Sequence, residues 1–453
     1  MATISSARKA AFQILMAVAR GQSHSDDLLR GKSVNVLSAL DRHLATALVL
    51  GVLRWQILLD SEIQPLLKRP NAKLDPEILI ALRLGAFQLR HLDRIPARAA
   101  IDESVELAKQ AGHKFASGMV NAVLRKIAAD DSQVALPEGT AAEVALAQAH
   151  PAWMVERWVE FYGLEAARSI CRHGQAQPGL TVRIVGAEVE EELAPASVKL
   201  GAGELLTAAR TVESGDVTAA AAFADGRVRM QDEGSQLVAE IAGCAGAGEV
   251  DRILDCCAAP GGKTLILAER NPEANIVACE SSEQRFDHLR TRLADYGDRV
   301  ECRFSDATAL NDDAGFDLAL ADVPCSGTGT LGRNPEIRLR LKVEDLARQA
   351  ERQKAILAVA LRAVRAGGRV VYSTCSLEPE ENEQVVAAVL ASGANARMVS
   401  MELQIAAMVE KGVLTASGAK QLQTCVTPEG AFRLLPGVFK TDGFYIALIE
   451  RTT

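Results

Sequence analysis

From about residue 231 onward, short apolar segments alternate with segments of helical periodicity, and few folds accommodate that pattern. The apolar segments have the length of strands, and helix-length stretches separate them, which is typical of parallel strands joined by crossover helices. The predicted strands are 252–256, 275–279, 300–304, 318–321 and 368–373. The sequence therefore predicts a doubly wound, Rossmann-like α/β domain over residues 231–453.

The first 130 residues show helical periodicity. Apolar residues recur at the spacing of one helix face in five segments, 11–18, 44–53, 78–89, 101–108 and 119–127. Pro70, Pro76 and Pro96 lie in the gaps between these segments, where helices end. The alternation of apolar and polar residues that marks a strand is missing from this part of the sequence. We predict an all-α helical domain over residues 1–130.

The region between these two parts is mixed. Residues 130–140 are polar, contain proline and glycine, and are predicted to form a linker. A short helical segment with Trp153, Trp158 and Phe161 follows, and strand-like runs lie at 181–185 and 227–230. We predict a small α+β connector over residues 141–230, which makes the 453-residue chain a multidomain protein.

Charge is distributed unevenly along the chain. Residues 1–130 contain 18 Lys and Arg against 12 Asp and Glu, whereas the remainder contains 32 against 46. Solvated helix faces alone would explain the basic excess. The sequence lacks a run of ~20 apolar residues and a secretory signal, so we expect a cytoplasmic protein without a membrane anchor.

Nine cysteines are scattered through the chain without a C-x-x-C pair. This spacing argues against zinc ribbons and thioredoxin-like chemistry, and we expect no metal. In a reducing compartment most of these thiols are predicted to be buried and inert.

A ligand loop is predicted after the first strand of the α/β domain, in the sequence DCCAAPGGKT (255–264). Gly261 and Gly262 allow a sharp turn and a close approach to a ligand, and a helix beginning near Lys263 would direct its first amides toward that ligand. The second strand ends near Glu280, which suits a ribose, and the third ends near Asp306, which suits an adenine amino group.

The same loop argues against two common cofactors. A Walker loop would need glycine where Cys257 stands, and the G-x-G-x-x-G motif of NAD-binding proteins is missing. A nucleoside cofactor without a pyrophosphate fits better, and S-adenosylmethionine is the common one.

Two further strands lead into loops that contain cysteine. DVPCSGTGT (322–330) places Cys325 after the fourth strand, and YSTCSLEPEENE (372–383) places Cys375 after the fifth. Both cysteines are therefore predicted at the carboxyl edge of the sheet, where ligands bind in this architecture. The alternative, that both are inert buried thiols, does not account for the Gly-, Ser- and Thr-rich loops around them.

Methylation at carbon 5 of cytosine would explain a pair of reactive thiols. Carbon 5 becomes nucleophilic only after a thiolate adds to carbon 6, and the hydrogen on carbon 5 must leave before the enzyme is released. The thiol must be ionised, which a nearby cation such as Lys263 would favour. Asp322 is placed to hydrogen-bond the edge of the base and to stabilise the adduct.

The three motifs, in this order and at the predicted strand ends, resemble the Sun family of RNA cytosine-5 methyltransferases. The segments DRHLATALVLGVLRW (41–55), LRLGAFQLRHLDRIPARAAIDESVELAK (82–109) and GMVNAVLRK (118–126) resemble the NusB-like RNA-binding domain that precedes the catalytic unit in members acting on the small ribosomal subunit. QDEGSQLVAE (231–240) and TDGFYIALIE (441–450) extend the resemblance over almost the whole chain.

The resemblance implies roles for individual residues. It implies that Cys375 is the nucleophile, that Cys325 assists product release and that Asp322 holds the base. It also implies S-adenosylmethionine as cofactor, bound by Cys257, Ala258, Ala259, Pro260, Gly261, Gly262, Lys263, Glu280, Arg285, Asp306 and Asp322. The implied partner is 16S ribosomal RNA or the assembling small subunit, and we expect a monomer. The basic excess of residues 1–130 would then contact phosphates.

Some positions depart from the family pattern. Val323 stands where alanine is usual, Val185 replaces an asparagine, and Glu280 replaces the shorter aspartate. Residues 187–222 and 395–430 match poorly. The sequence leaves three rival functions open: a DNA cytosine methyltransferase, in which attack would come from the Pro-Cys position, here Cys325; a methyltransferase acting on an exocyclic nitrogen; and a non-enzymatic RNA-binding assembly factor.

Overall fold

The structure is a computed structural model that describes residues 4–70, 73–130, 136–186, 188–246, 248–311 and 313–453. By packing, the chain divides into a helical unit, Met1–Gln177 with Leu331–Arg340, and a catalytic unit, Pro178–Thr330 with Leu341–Thr453. The domain bounds 1–130, 141–230 and 231–453 stay a prediction, and part of the predicted linker at 130–140, residues 131–135, lies outside the described residues.

The helical unit is built from helices, as predicted, and no strand occurs among its described residues. Its helices before the catalytic unit are Ser6–Ala19 (α1), Ser25–Leu29 (α2), Lys32–Asn35 (α3), Ala39–Ile63 (α4), Pro76–His91 (α5), Ala97–Gln110 (α6), Ser117–Ala129 (α7), Ala141–Ala147 (α8), Ala152–Tyr162 (α9) and Leu164–Gln175 (α10).

Two glycines allow the central helices of this unit to pack closely. A Cβ atom on Gly51 of α4 would lie 1.9 Å from Cζ of Phe87 in α5, and one on Gly85 of α5 would lie 2.5 Å from Cδ1 of Leu124 in α7. Both distances are far shorter than carbon atoms tolerate, so the missing side chains set the distance between these helices.

Helix α4 is also long and apolar. Among the described residues, only Ala39–Leu66 has the length and composition of a membrane span. Leu48, Val49 and Val52 on this helix are buried among the other helices of the unit, which is the packing of a core helix.

The segment Leu331–Arg340 belongs to the helical unit although it lies within the catalytic half of the sequence. Glu336 is buried and accepts hydrogen bonds from the backbone N–H and the hydroxyl of Ser25, both at 2.9 Å. Arg338 is buried as well, and its guanidinium donates to four backbone carbonyls, those of Arg54, Ala149, Gly174 and Leu331. These bonds fix the segment among the helices.

The catalytic unit begins with a small α+β region, as predicted. Its four strands form an antiparallel sheet in the order β2-β3-β1-β4. The elements are Thr181–Ile184 (β1), Val189–Leu193 (α11), Lys199–Ala202 (β2), Ala209–Ser214 (β3), Ala221–Ala224 (α12) and Val228–Met230 (β4). Strands β2 and β3 lack a strong apolar alternation and were not expected from the sequence.

A buried ion-pair network joins this small sheet to the helices that follow. Arg183 of β1 pairs with Glu240 and Glu269, and Arg229 of β4 pairs with Glu269. Arg270 completes the network through Glu240, at 2.6 Å. Both carboxylates therefore have two arginine partners, which offsets the cost of burying Glu240.

The rest of the unit is an eight-stranded sheet with helices between its strands. The strands are Arg252–Asp255 (β5), Asn275–Glu280 (β6), Val300–Phe304 (β7), Phe316–Asp322 (β8), Val364–Thr374 (β9), Ala396–Val399 (β10), Phe432–Leu434 (β11) and Phe444–Arg451 (β12). The helices are Glu233–Gly243 (α13), Gly262–Arg270 (α14), Glu283–Arg292 (α15), Ile337–Arg340 (α16, within the helical unit), Val343–Ala363 (α17), Glu383–Ala391 (α18), Met401–Glu410 (α19) and Ala416–Gln423 (α20).

The sheet is mixed rather than purely parallel. Strands β5 to β9 are parallel and occupy the positions predicted from the sequence, in the order β9-β8-β5-β6-β7. Strand β12 pairs antiparallel with β9, and β10 and β11 pair antiparallel with β12. The prediction is correct for the five parallel strands and is extended by three antiparallel ones.

Alternate residues of the parallel strands enter two different hydrophobic clusters. Ile253 of β5 packs in one cluster and Leu254 in the other, and Leu320 and Ala321 of β8 divide in the same way. Both faces of the sheet are therefore covered. Strand β5 lies between β6 on one side and β8 on the other, so the strand order reverses between β5 and β8. A ligand crevice is expected at the carboxyl ends of these two strands.

Candidate active site

The loop between β5 and α14 turns sharply beside the end of the sheet. Gly261 has φ +94°, and a Cβ atom there would lie 3.2 Å from Cδ1 of Leu289. Helix α14 begins at the next residue, Gly262, so its free amides lie at the carboxyl end of β5. The turn thus has the backbone conformation that the Gly-Gly pair predicts.

A cavity of about 330 Å³ opens at the carboxyl ends of the parallel strands. Eight of the predicted site residues line it: Cys257, Ala259, Glu280, Arg285, Asp306, Asp322, Cys325 and Cys375. A smaller cavity, of about 100 Å³, is lined by Cys257, Ala258, Ala259, Pro260, Gly262, Lys263 and Asp322 among others. Gly261 lines neither of these two cavities, and its contribution is to allow the turn of the loop.

Glu280 ends β6 at the floor of the larger cavity. Its Oε1 accepts hydrogen bonds from the backbone N–H groups of Ser281 and Ser282, at 2.9 and 2.8 Å. Its Oε2 lies 3.5 Å from Nη2 of Arg285, whose guanidinium also donates to the carbonyl of Ala259. Two backbone amides thus fix one oxygen of the Glu280 carboxylate. Arg285 interacts with the other oxygen and also binds the carbonyl of Ala259 in the loop.

Asp306 follows β7 and faces an arginine that the sequence did not predict. Its Oδ1 accepts from the backbone N–H and the hydroxyl of Thr308, both at 2.9 Å, and the hydrogen bond from that backbone N–H lowers the pKa of Asp306. Its Oδ2 lies 3.8 Å from Nη2 of Arg352, on α17. Arg352 also lines the cavity, but no sequence signal distinguishes it from the other arginines of this helix.

Cys325 and Cys375 meet at one end of the cavity. Their Sγ atoms lie 3.2 Å apart, and both thiols are free. The loops meet because β8 and β9 are adjacent parallel strands, in register at Asp322 and Ser373. Hydrogen bonding to Cys375, followed by burial and by the charge of Cys375, raises the pKa of the Cys325 thiol well above its usual range.

Lys263 and Asp322 form an ion pair next to the two thiols. Nζ of Lys263 lies 2.7 Å from Oδ2 of Asp322, and Oδ1 of Asp322 accepts from the hydroxyl of Ser373 at 2.7 Å. Burial opposes the charge on Lys263, yet its pKa is raised, because the carboxylate of Asp322 and the neighbouring Cys375 favour the ammonium form. The ring of Phe444 lies 6.0 Å from the same ammonium group.

Asp255, at the end of β5, is a buried acid behind the loop. Its Oδ2 accepts from the hydroxyl of Thr264 at 2.8 Å. Burial raises the pKa of Asp255 to about 7, and the charge of Asp322 acts in the same direction. The sequence predicts that Asp255 lies at the end of a strand. It does not predict the raised pKa, which results from the packing around the carboxyl group.

Comparisons with known proteins match both halves of the chain. A family model described as 16S rRNA methyltransferase RsmB/F matches residues 246–450, and the model of the NusB family matches residues 5–129. The probable ribosomal RNA small subunit methyltransferase B of Bacillus subtilis is 33% identical, over 98% of this chain and 99% of its own length. The corresponding methyltransferase B of Pseudomonas putida is 32% identical over 97% of each chain.

Solved structures share the fold. The crystal structure of PH0851 has a TM-score of 0.78 at 23% identity and covers 99% of both chains. A methyltransferase homolog from Pyrococcus horikoshii has a TM-score of 0.55 at 23% identity and covers 70% of this chain and 100% of its own.

Proposed function

This chain belongs to the family of 16S rRNA methyltransferases RsmB/F, and we propose that it methylates carbon 5 of a cytosine in 16S ribosomal RNA through a covalent bond between Cys375 and the base. The observation that carries this proposal is the approach of the two free thiols to 3.2 Å beside the Lys263–Asp322 ion pair. Methylation of a nitrogen needs neither thiol, because a nitrogen lone pair attacks the methyl group directly.

The cofactor is S-adenosylmethionine, and the chemistry of the larger cavity fits it. Glu280 and Asp306 offer carboxylate oxygens, which suit the hydroxyls of a ribose and the amino group of an adenine and disfavour a pyrophosphate. The small side chains of Cys257 and Ala259 leave space beside them. When bound, S-adenosylmethionine would supply the electrophilic methyl group that carbon 5 of the base accepts, and the electron pair of the broken sulfur–methyl bond would stay on sulfur as a neutral thioether.

Cys375 prepares the base for this transfer. Its thiolate donates an electron pair to carbon 6 of cytosine, and the electrons of the 5,6 double bond move to carbon 5, which then bonds to the methyl carbon. The ammonium of Lys263 favours a negative charge beside it. Asp322, held by Lys263 and Ser373, is proposed to hydrogen-bond the amino edge of the ring.

Cys325 is proposed to complete the reaction. The basic form of its thiol takes the proton from carbon 5, the electrons return to the 5,6 double bond, and Cys375 leaves carbon 6 as a thiolate. In the free enzyme Cys325 is held in its neutral form, chiefly by its hydrogen bond to Cys375. Bonding of Cys375 to the base removes that hydrogen bond and that charge, so Cys325 becomes easier to ionise when a base is needed.

The helical unit is proposed to bind the RNA, in line with its NusB match and the basic excess of residues 1–130. The partner is 16S ribosomal RNA, free or in an assembling small subunit, and we propose that a monomer acts in the cytoplasm.

Covalent trapping tests this mechanism. Wild type, Cys325→Ala and Cys375→Ala are each mixed with 16S RNA and S-adenosylmethionine and examined for a protein–RNA band that survives denaturation. We expect the band to accumulate in Cys325→Ala and to be lost in Cys375→Ala. The opposite pattern would assign attack to Cys325, and methyl transfer that survives the loss of Cys375 without any band would indicate nitrogen methylation.

A further inference from the structure

A buried carboxylate connects the loops that carry the two thiols. Glu381 lies in the short helical turn Pro379–Glu381, six residues after Cys375, and its side chain is fully buried. It does not line either cavity described above, so it does not contact the predicted cofactor or base positions.

Each thiol is followed directly by a serine that donates to this carboxylate. Ser326, after Cys325, donates its backbone N–H to Oε1 of Glu381 at 2.8 Å and its hydroxyl to Oε2. Ser376, after Cys375, donates its hydroxyl to the same Oε2 at 2.5 Å. One carboxylate therefore holds both loops at the positions next to the reactive sulfurs.

A fourth donor fixes the carboxylate itself. Nε2 of Gln353, on α17, donates to Oε1 at 2.9 Å and to the carbonyl of Pro324 at 2.9 Å. Four donors on three segments of the chain, Ser326, Ser376 and Gln353, therefore meet the single carboxylate of Glu381.

The charge of Glu381 also acts on the thiol of Cys325. The pKa of Cys325 is raised first by its hydrogen bond to Cys375 and by burial, and the negative charge of Glu381 adds to both. The carboxylate thus favours the neutral thiol at Cys325, the partner proposed to act last.

We propose that Glu381 is a positioning residue that holds Cys325 and Cys375 at the separation their sequential roles require. The inference rests on the proposed function, since it assigns a purpose to the distance between a nucleophile and a release group. A purely structural role would stabilise the unit without setting the distance between the sulfurs.

The distance is measurable without RNA or S-adenosylmethionine, through the tendency of the two thiols to form a disulfide. In exchange with oxidised glutathione, two protein thiols give one protein disulfide and two molecules of reduced glutathione, so electrons and protons balance. The equilibrium constant, followed by mass spectrometry of the peptides that contain Cys325 and Cys375, reports how closely the sulfurs are held. Full-length wild type is compared with Glu381→Ala, Glu381→Gln and the control Glu383→Gln, whose carboxylate pairs with Arg433 instead.

We expect Glu381→Ala to lower this constant by at least about tenfold, Glu381→Gln to have an intermediate effect, and Glu383→Gln to leave it unchanged. Cofactor affinity, measured by calorimetry, should stay within about twofold in all variants and serves as the test of folding. An unchanged disulfide equilibrium in a folded Glu381→Ala or Glu381→Gln variant would overturn the proposal. The assay does not depend on catalysis, so a failure of the cytosine-5 mechanism, seen by trapping, remains distinguishable.

Discussion

Nζ of Lys263 lies 2.7 Å from Oδ2 of Asp322 and 6.0 Å from the ring centre of Phe444, and its charge interacts with Cys375. The pair joins the first motif of the catalytic unit, on α14, to the second, at the end of β8. A single lysine thereby links an acid and a thiol that come from two different motifs of the sequence.

Replacing Lys263 should slow the chemistry of Cys375. A methionine at this position keeps the length of the side chain and removes the charge that favours a thiolate. We expect the rate of alkylation of Cys375 by iodoacetamide at neutral pH to fall in Lys263→Met, because the neighbouring positive charge is lost, and peptide mass spectrometry measures this rate. Lys354→Met is the control, because that ammonium pairs with Glu351 on the exposed face of α17. Equal rates in Lys263→Met and wild type would refute the role of the lysine.

Glu280 should determine cofactor affinity. Replacing Glu280 by glutamine keeps the acceptor that binds the amides of Ser281 and Ser282 and removes the acceptor at Oε2. We expect the Kd for S-adenosylmethionine, measured by calorimetry, to rise at least about tenfold, which corresponds to roughly 1.4 kcal/mol. Glu283→Gln, at the start of α15 and outside the cavity lining, should bind like wild type. If the two variants bind equally well, Glu280 does not hold the cofactor.

Asp255 should make the stability of the catalytic unit depend on pH. The pKa of this buried acid is raised to about 7 in the folded protein, from 3.8 in the unfolded chain, so between these values the folded state binds a proton that the unfolded state has lost. Its contribution is complete below about pH 4 and is lost as the pH rises through about 7. We expect the stability of wild type, relative to Asp255→Asn, to fall by up to roughly 4 kcal/mol over this window.

Urea unfolding followed by alkylation of Cys256 and Cys279 measures this effect, since both thiols are buried in the folded unit. Parallel pH profiles of wild type and Asp255→Asn would show that Asp255 is ionised throughout.

Gly51 should tolerate no larger residue. An added methyl group would lie 1.9 Å from Cζ of Phe87 and would force α4 and α5 apart. We expect Gly51→Ala to destabilise the helical unit by about 1–3 kcal/mol. Gly118→Ala, in α7 with open space around it, should instead stabilise the unit by about 0.5–1 kcal/mol.

Tryptophan fluorescence during urea unfolding measures these changes, because Trp55, Trp153 and Trp158 all lie in the helical unit. If alanine has the same effect at positions 51 and 118, close packing does not explain the glycine at 51.

The parallel strands were predictable because each is a short apolar run that ends in a loop of small or polar residues. The same argument placed Cys325 and Cys375 at one edge of the sheet, and the structure brings their sulfurs together. Strand β12 is almost wholly buried, but its direction depends on the connection that precedes it and is not encoded in a local pattern. Strands β2 and β3 lie in the part of the sequence that matches the family poorly, and their register is set by pairing, of β3 with β1 and of β2 with β3, rather than by apolar alternation.

Two residues next to the site were not singled out from the sequence, one on a distant helix and one within the motif that contains Cys375. Arg352 reaches the cavity from α17, and Glu381 reaches the thiol loops from a turn rich in acids. Acids and arginines are common on solvated surfaces, so only the packing of α17 and of that turn distinguishes these two from their neighbours.

The ten residues Leu331–Arg340 restrict the domain exchanges that the gene of such a protein can undergo. The chain leaves the catalytic unit after Thr330, contributes Glu336 and Arg338 to the helical unit, and returns at Leu341. A recombination at one point of the gene that brought in a foreign front domain would leave the guanidinium of Arg338 without the carbonyls of Arg54, Ala149 and Gly174. The two units are therefore expected to evolve together, with substitutions in the front helices matched by substitutions in a segment more than 150 residues away in the sequence.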